Sequence, residues 1–557
     1  MLLGAWNRPE APVFNQRHPV FSTVERRNGF GRMSATAKPH WGLIFALLGL
    51  ACASWGNAQP RSPFESARSR ETVTELDRFV RDDLSAHGIT PALPCSDAVF
   101  FRRVHLDILG IRPDPREVTA FLSSKEPGKR AALIDALLQR PEYADYWAMK
   151  WCDILRVKAE FPINLWPNGA QAYHEWVRAA LRDNLPYDEF ARTLLASSGS
   201  NFRVPPVNFY RAVENRKPEG LAAAAALTFM GTRTDSWAED QRKGCAAFFS
   251  ALVFKPSAEW KEEIVMPDPA RSTPIAAVFP DGAPVEIPPE MDPRRVFADW
   301  LTAPGNPWFA RAAANRVWFW LLGRGIVHEA DDLRTDNPPV NPALLAYLES
   351  QLTASGYDLR HLLRVILNSA TYQQSCIPAA PHPEAEARFA CYGTRRLDAE
   401  VLADLFSTLL GPGEDYMSAV PEPFTYIPKY RPAVSLADGS VSSPFLELFG
   451  RPSRDTGLLS ERNNEPTEAQ RLHLLNSSTL RRRLASAPLI GRVSGRPREK
   501  PAQAVRQAYL EILSRPPTPE EQTAALAHAE ETGLSRREAL EDLVWALVNT
   551  KEFLYRH

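Results

Sequence analysis

From residue 72 to the end of the chain, apolar positions recur three and four apart, the spacing of helices that bury one face. In "YWAMKWCDILRV", Trp147, Trp151 and Leu155 share one such stripe and are expected in the core. Asp153 and Arg156 lie on the other flank three residues apart, as an ion pair would. Start signals agree with the stripes. "PDPREVTAFL" carries Asp114 at the N-cap, Pro115 at the first helical position and Glu117 at the third. "PPTPEEQTAALAHAEE" repeats the device with Thr518, Pro519 and Glu521. The match extends outward. "LDILGIRPDPREVTAFL…KRAALIDALLQRPEY" and "LEILSRPPTPEEQTAAL…RREALEDLVWALVNTKEF" share a helix, a Pro-rich turn, a capped helix and a closing helix ending in an aromatic. "YDLRHLLRVILNSATY" is a third, partial copy. A recurring helical hairpin is predicted, with Tyr143, Tyr372 and Phe553 plugging the core.

Two regions break this pattern. Residues 265–293, "VMPDPARSTPIAAVFPDGAPVEIPPEMDP", are Pro-rich, with two alternating pieces that predict a β-hairpin around Asp281-Gly282. This linker is the expected boundary between a domain over 72–264 and another over 294–557. The predicted fold class is therefore mainly α: helical hairpins in two domains, with a small β-hairpin in an irregular Pro-rich connector. The second irregular region, 411–452, is too long for a bare connector and suits a functional or binding loop.

The N-terminus reads as a targeting region. Residues 1–32 lack periodicity, and an internal Met33 opens "MSATAKPHWGLIFALLGLACASWGNAQP". Lys38 supplies positive charge, Trp41 to Ala53 an apolar run too short to span a bilayer comfortably, and Gly56-Asn57-Ala58 small residues before Gln59. A signal peptide over 33–58 is expected, with translation starting at Met33 and the mature protein in the periplasm or at the cell surface. Membrane attachment would come through an uncleaved signal or a lipid on Cys52.

Composition narrows the function classes. Lys+Arg 65 against Asp+Glu 66 leaves no basic excess for phosphate neutralisation, so no nucleic-acid partner is expected. The 14 Trp and 27 Phe suit helix contacts or carbohydrate-facing platforms equally well. Besides Cys52 there are Cys95, Cys152, Cys245, Cys376 and Cys391, an odd set without C-x-x-C. Cys376 and Cys391 could pair across the Pro-rich segment between them, or the set could be buried thiols. Phosphate-cradling loops, G-x-S-x-G and H-E-x-x-H are missing, and no second histidine stands at metal-ligand spacing from His174. No cofactor or metal is expected.

Two stretches concentrate polar chemistry. "FMGTRTDSWAEDQRKGCAAFF", Phe229 to Phe249, has the composition of an active-site loop. In "NPWFARAAANRVWFWLLGRGIVHEADDLRTDNPPVNPALL", Arg311, Asn315 and either Trp318 or Phe319 share a helical face, and Gly323 and Gly325 end the helix. Asp331, Asp332, Arg334, Asp336 and Asn337 follow. These three carboxylates could serve acid–base chemistry with Arg316 or Arg334, bind a hard cation such as Ca²⁺, or form helix caps and a salt-bridged turn. Arg156, Glu461 and Arg462 complete the binding candidates, the last two as a pair.

Several of these segments occur together in one family. "FRRVHLDILGIRPDPREVTAFL", "YADYWAMKWCDILR", "WVRAALRDNLPYDEF" and "TFMG…AAFF" resemble the domain of unknown function numbered 1549. "NPWFARAAANRVWFWLLGRGIV", "LLRVILNSATYQ", "RRLDAEVLADL" and "LFGRP…ER…EPT…Q…LHLLNSS" resemble the domain numbered 1553. The resemblance implies an exported protein of a kind typical of planctomycetes, often encoded beside a second exported family. Relatives usually hold a Cys-x-x-Cys-His segment between "F-L-G" and "A-A-F-F", and many carry a cytochrome-c-like domain. Here the segment is missing, so Phe229–Phe249 reads as a shortened connector and the expected site moves to Asn315–Asn337; "RDTGLLSER" likewise lacks the cysteine that relatives place before Glu461. The leading expectation is a non-haem extracytoplasmic binding or assembly protein linked to polysaccharide handling, with polysaccharide or a neighbouring exported protein as partner. A carbohydrate hydrolase or lyase using Asp331, Asp332 or Asp336 is the alternative. A redox protein related to c-type cytochromes is third and poorly supported.

Overall fold

A proline at the first helical position, preceded by a side chain that accepts a backbone N–H, starts helix after helix. Asp114 accepts from Arg116, Asp292 from Arg294, Asn341 from Leu344 and Thr518 from Glu521. In the computed structural model 53% of the chain is helical. It describes residues 62–66, 73–413, 415–421, 423–425, 427, 431–494 and 500–557, so the signal segment, Met33 and Cys52 lie outside the described residues.

The first part of the chain supplies α1 (Glu75–Ala86), α2 (Asp97–Ile108), α3 (Pro115–Ser123), α4 (Lys129–Leu138), α5 (Pro141–Ile154), α6 (Pro167–Arg182) and α7 (Tyr187–Ala196). After β1 (Gly199–Ser200) come α8 (Asn208–Arg211), α9 (Pro218–Ala225), a π turn over Ala226–Met230 and α10 (Glu239–Ala246). β2 (Leu252–Pro256) and β3 (Glu263–Pro267) form an antiparallel hairpin joined by β1. β4 (Ile275–Val278) pairs with β5 (Pro284–Ile287), placing Asp281-Gly282 at the expected turn. α11 (Pro293–Leu301), α12 (Phe309–Leu322), α13 (Pro342–Ala354) and α14 (Leu359–Leu367) follow. β6 (Arg395–Arg396), α15 (Ala399–Leu410), α16 (Pro444–Leu448), α17 (Glu468–Asn476), α18 (Ser478–Ala485) and α19 (Pro488–Ser494) lead into a final hairpin. It comprises α20 (Pro501–Leu513), α21 (Pro519–Thr532), α22 (Arg536–Val548) and α23 (Lys551–Leu554), closed by β7 (Tyr555–Arg556).

The repeat seen in the sequence is a repeat in space. α2 and α20 both end at a residue in the left-handed region, Gly110 (φ 65) and Ser514 (φ 58), four positions before the capping Asp114 and Thr518. Gly110 cannot gain a side chain, because a Cβ there would lie 2.5 Å from Tyr146. Tyr143, Tyr372 and Phe553 are all buried. The two copies also touch. Arg102 of α2 donates to Ile512 O at 2.9 Å and Phe553 O at 3.1 Å, and Arg112 pairs with Glu511 at 3.0 Å.

Elements on either side of the Pro-rich segment share one hydrophobic core running from Leu76 to Phe553. α1 packs on α13, and α7 on α11. At its centre lies a buried ionic assembly. α5 presents Tyr146, Lys150 and Asp153 on one face, while the start of α15 presents Asp398 and Glu400. Lys150 donates to Asp398 Oδ2 at 2.8 Å, Arg556 of β7 to the same oxygen at 2.9 Å, and Asn464 to Oδ1 at 3.0 Å. Arg462 reaches Asp153 Oδ2 at 2.7 Å and Glu400 Oε2 at 2.7 Å, and Arg454 holds Asp153 Oδ1 at 2.9 Å. Asp153 therefore pairs with arginines some three hundred residues away, not with Arg156 as its spacing suggested. Breaking such a buried set costs far more than breaking a surface pair, because the remaining charges stay in the interior. Asp398→Ala is expected to lower the urea-unfolding free energy by roughly 3–5 kcal/mol. Lys243→Ala, which breaks the exposed Lys243–Glu239 pair, should leave stability near that of the wild type. A loss below about 1 kcal/mol for Asp398→Ala would show that the assembly does not hold the fold.

Candidate functional site

The residues singled out in the sequence divide into an interior group and a surface group. Asn315 and Arg316 of α12 are fully buried. Asn315 braces the turn after its own helix, donating to Val327 O and accepting from Val327 N, both at 3.0 Å. Arg316 holds Asp331 Oδ1 through Nε at 3.1 Å and a terminal nitrogen at 2.9 Å, and its guanidinium also donates to Leu227 O and Thr228 O. Those carbonyls belong to the π turn. Asp331 Oδ2 accepts from Leu459 N at 2.6 Å, so both its oxygens are bonded. Trp318 is a core residue, edge-on to Phe389.

Asp332 and Asp336 lie outside this group, on either side of Arg334, at 2.9 and 3.5 Å. Asn337 donates to Asp332 O at 2.9 Å. The three aspartates thus do not share one environment. Glu461 and Arg462 point apart. Glu461 accepts from Ser453, Asp455 N and Thr456, closing its own loop, whereas Arg462 enters the ionic assembly. Arg156 adopts φ 55, donates to Ala212 O at 2.7 Å and packs beneath Gly457, where a Cβ would lie 2.5 Å from its guanidinium. Burial lowers Arg156 to about 10.

The Phe229–Phe249 stretch is more structured than its composition suggests. It completes the π turn, forms a short 3₁₀ turn over Thr234–Ser236 and enters α10. Cys245 is buried in the core, which pushes its thiol up to about 12. Cys95, Cys152, Cys376 and Cys391 are likewise free thiols. Among the described residues no group of three or more His, Cys, Asp or Glu is placed to hold a metal ion, and no helix is long and apolar enough to cross a membrane.

The irregular region 411–452 borders a small, open cleft lined in part by Phe406, Tyr416, His473, Ser477 and Arg483. Its polar groups are engaged: Ser477 caps α18, and Arg483 donates to Gly411 O at 2.6 Å. The same region does something more exposed elsewhere. Phe424 meets Trp166 and Trp260, with ring centroids 4.8 Å apart for the two tryptophans and 5.4 and 5.2 Å to the phenylalanine. Trp260 is 59% and Phe424 44% exposed. Single exposed apolar residues are ordinary, but here two exposed rings meet each other and the half-buried Trp166.

Three distant segments build this cluster. Trp166 ends the loop after α5 with φ 67, just before Pro167 opens α6. Trp260 sits at the tip of the β2–β3 hairpin, and Lys261 follows it with φ 63. The Trp166 loop is fastened to the second half of the chain. Ala159 N donates to Asp438 Oδ1 at 2.8 Å, Glu160 N to Ser440 Oγ at 3.0 Å, and Gly439 N to Val157 O at 2.9 Å. Ala419 N donates to Glu160 Oε1 at 2.9 Å. Left-handed backbone at three side-chain-bearing residues, Asn164, Trp166 and Lys261, is uncommon and persists only where surrounding contacts impose it. Sequence reasoning passed over these rings. The available signal was "SAEWKEE", a tryptophan set among charges in a hairpin turn.

Residues 75–240 match a family model described as a protein of unknown function (DUF1549), and residues 293–529 one described as a protein of unknown function (DUF1553). No curated protein and no solved structure matches the chain.

Asp404 and Glu400, one turn apart on α15, respond to pH in opposite senses. Burial pushes Asp404 up to about 7 against the N–H groups of Ala433 and Val434, which act to lower it. Its contribution to stability is complete below the ordinary value of 3.8 and lost as pH rises through about 7. Burial also works against Glu400, but Arg462 and Arg451 outweigh it and hold that carboxyl at about 2. Its contribution is complete above 4.5 and lost as pH falls through about 2. Melting curves across pH should show Asp404→Asn losing the decline in stability between pH 4 and 7, and melting above the wild type at pH 8. An unchanged pH profile would contradict the placement of Asp404.

Proposed function

The chain joins a DUF1549 domain to a DUF1553 domain, and we propose that it is an extracytoplasmic binding or assembly protein. Its working surface is the Trp166–Trp260–Phe424 cluster, and its ligand is polysaccharide. The contact of two exposed rings, Trp260 and Phe424, with the half-buried Trp166 carries the reading. Sugar rings present flat C–H faces that lie on aromatic rings, while their hydroxyls stay hydrated at the rim. An aromatic platform flanked by polar side chains suits both. Exposed Asn164 and Asn168 lie on either side of Trp166 in the sequence and supply such a rim. The signal-like sequence over 33–58 supports a location outside the cytoplasm.

The aspartate cluster lends less support to a hydrolase. Glycoside hydrolysis takes two carboxyl groups flanking one scissile bond. Here Asp331 is buried with both oxygens bonded, while Asp332 and Asp336 pair with Arg334 at the surface. Trp260→Ala and Phe424→Ala, assayed by co-sedimentation with a panel of insoluble polysaccharides, should each weaken retention about tenfold, the equivalent of losing roughly 1.4 kcal/mol of contact. Melting temperature should stay near that of the wild type, since neither side chain belongs to the buried core. Retention at wild-type strength by both variants would remove the cluster from the reading. A wild type that binds no glycan and co-purifies with no exported partner would end the reading itself.

A further inference from the structure

Resting on that reading and sharpening it, we infer that the polysaccharide is anionic and that Lys261 reads its charge. Lys261 follows Trp260 at the hairpin tip, and its Nζ lies 5.2 Å from the centroid of Trp166 and 5.8 Å from that of Trp260. The ammonium is thus part of the aromatic surface. Cation–π contact with the two indoles restrains it without neutralising it.

Its neighbours in the sequence could have neutralised it, yet each is committed elsewhere. Glu259 accepts from Arg203 at 3.5 Å. Glu262 turns inward and accepts from the hydroxyls of Ser200 and Ser257. Glu263 pairs with Arg211 at 2.6 Å and Arg216 at 3.1 Å. Among the described residues no carboxylate pairs with Lys261. Its φ of 63 is a left-handed conformation uncommon for a residue with a side chain.

An uncharged glycan on these rings would leave the cation without a partner. A chain bearing carboxylate or sulfate groups would supply one at each stacked residue. Both groups are anionic oxygens that accept hydrogen bonds from an ammonium, and binding assays can separate them.

The test uses the full chain in affinity electrophoresis against alginate (a polyuronate), dextran sulfate and neutral dextran at low salt. At least one polyanion should bind tenfold or more tightly than dextran, with the advantage shrinking at 0.5 M NaCl. Preference for alginate identifies a carboxylate glycan and preference for dextran sulfate a sulfate ester. Lys261→Met should lose at least fivefold of that advantage, and Lys261→Arg should keep most of it. Lys125→Met, at an exposed lysine between α3 and α4, should keep all of it. Equal loss in Lys125→Met and Lys261→Met would mean diffuse charge attraction and overturn the inference. So would undiminished polyanion binding by Lys261→Met, or tighter binding to dextran than to either polyanion. In each of those cases a loss in Trp260→Ala would leave the aromatic platform standing. Absence of binding to all three, and to insoluble glycans, overturns both readings.

Discussion

Asp398 is the pin of this structure. Its carboxylate is fully buried, and burial alone would drive it to the neutral acid. Lys150, Arg556 and Arg462 instead hold it well below the usual carboxylate range. Those cations come from α5, from β7 at the chain's end and from the loop before α17. Charge in the interior tolerates little misplacement, so the set fixes how these elements meet. Asp107 extends it, pairing with Arg556 at 2.8 Å and accepting from Tyr372 and Tyr392. The neighbouring carboxylates Asp153 and Glu400 bind Arg462 from opposite domains.

What the pin positions is as informative as the pin. Arg454, anchored on Asp153, also donates to Ala437 O, beside the turn whose Asp438 and Ser440 fasten the Trp166 loop. The chain of contacts therefore runs from the buried charges to the exposed rings. Neither domain alone assembles the cluster. Trp166 comes from within the DUF1549 match and Phe424 from within the DUF1553 match, while Trp260 lies on the hairpin between them. A cluster built from three such distant segments leaves no contiguous trace in either domain's sequence pattern.

The fold was largely legible because it rests on local rules. Pro-capped helix starts, the 3.6-residue stripes and the Asp281-Gly282 turn all act within a few residues of themselves. The site was legible only in part. Asn315, Arg316 and Asp331 stood out as polar residues near apolar runs, but Asp331's decisive partner, Leu459 N, lies 128 positions away. Asp153 and Arg156 had the spacing of an ion pair, and tertiary partners overrode it. Trp260 broke a local rule, a large apolar side chain in a polar turn, and such breaches point to function more reliably than polar density does. The density of the Phe229–Phe249 stretch, by contrast, resolves into the end of a π turn, a short 3₁₀ turn and a helix that buries Cys245.

Hydrogen-exchange mass spectrometry of the whole protein, with and without a bound polysaccharide, tests the central claim most directly, because it reports where the ligand lies. Protection should appear together on peptides covering 157–168, 257–263 and 417–425, the three segments that meet at the aromatic cluster. Protection confined to 331–337, or to the cleft around Ser477 and Arg483, would contradict it.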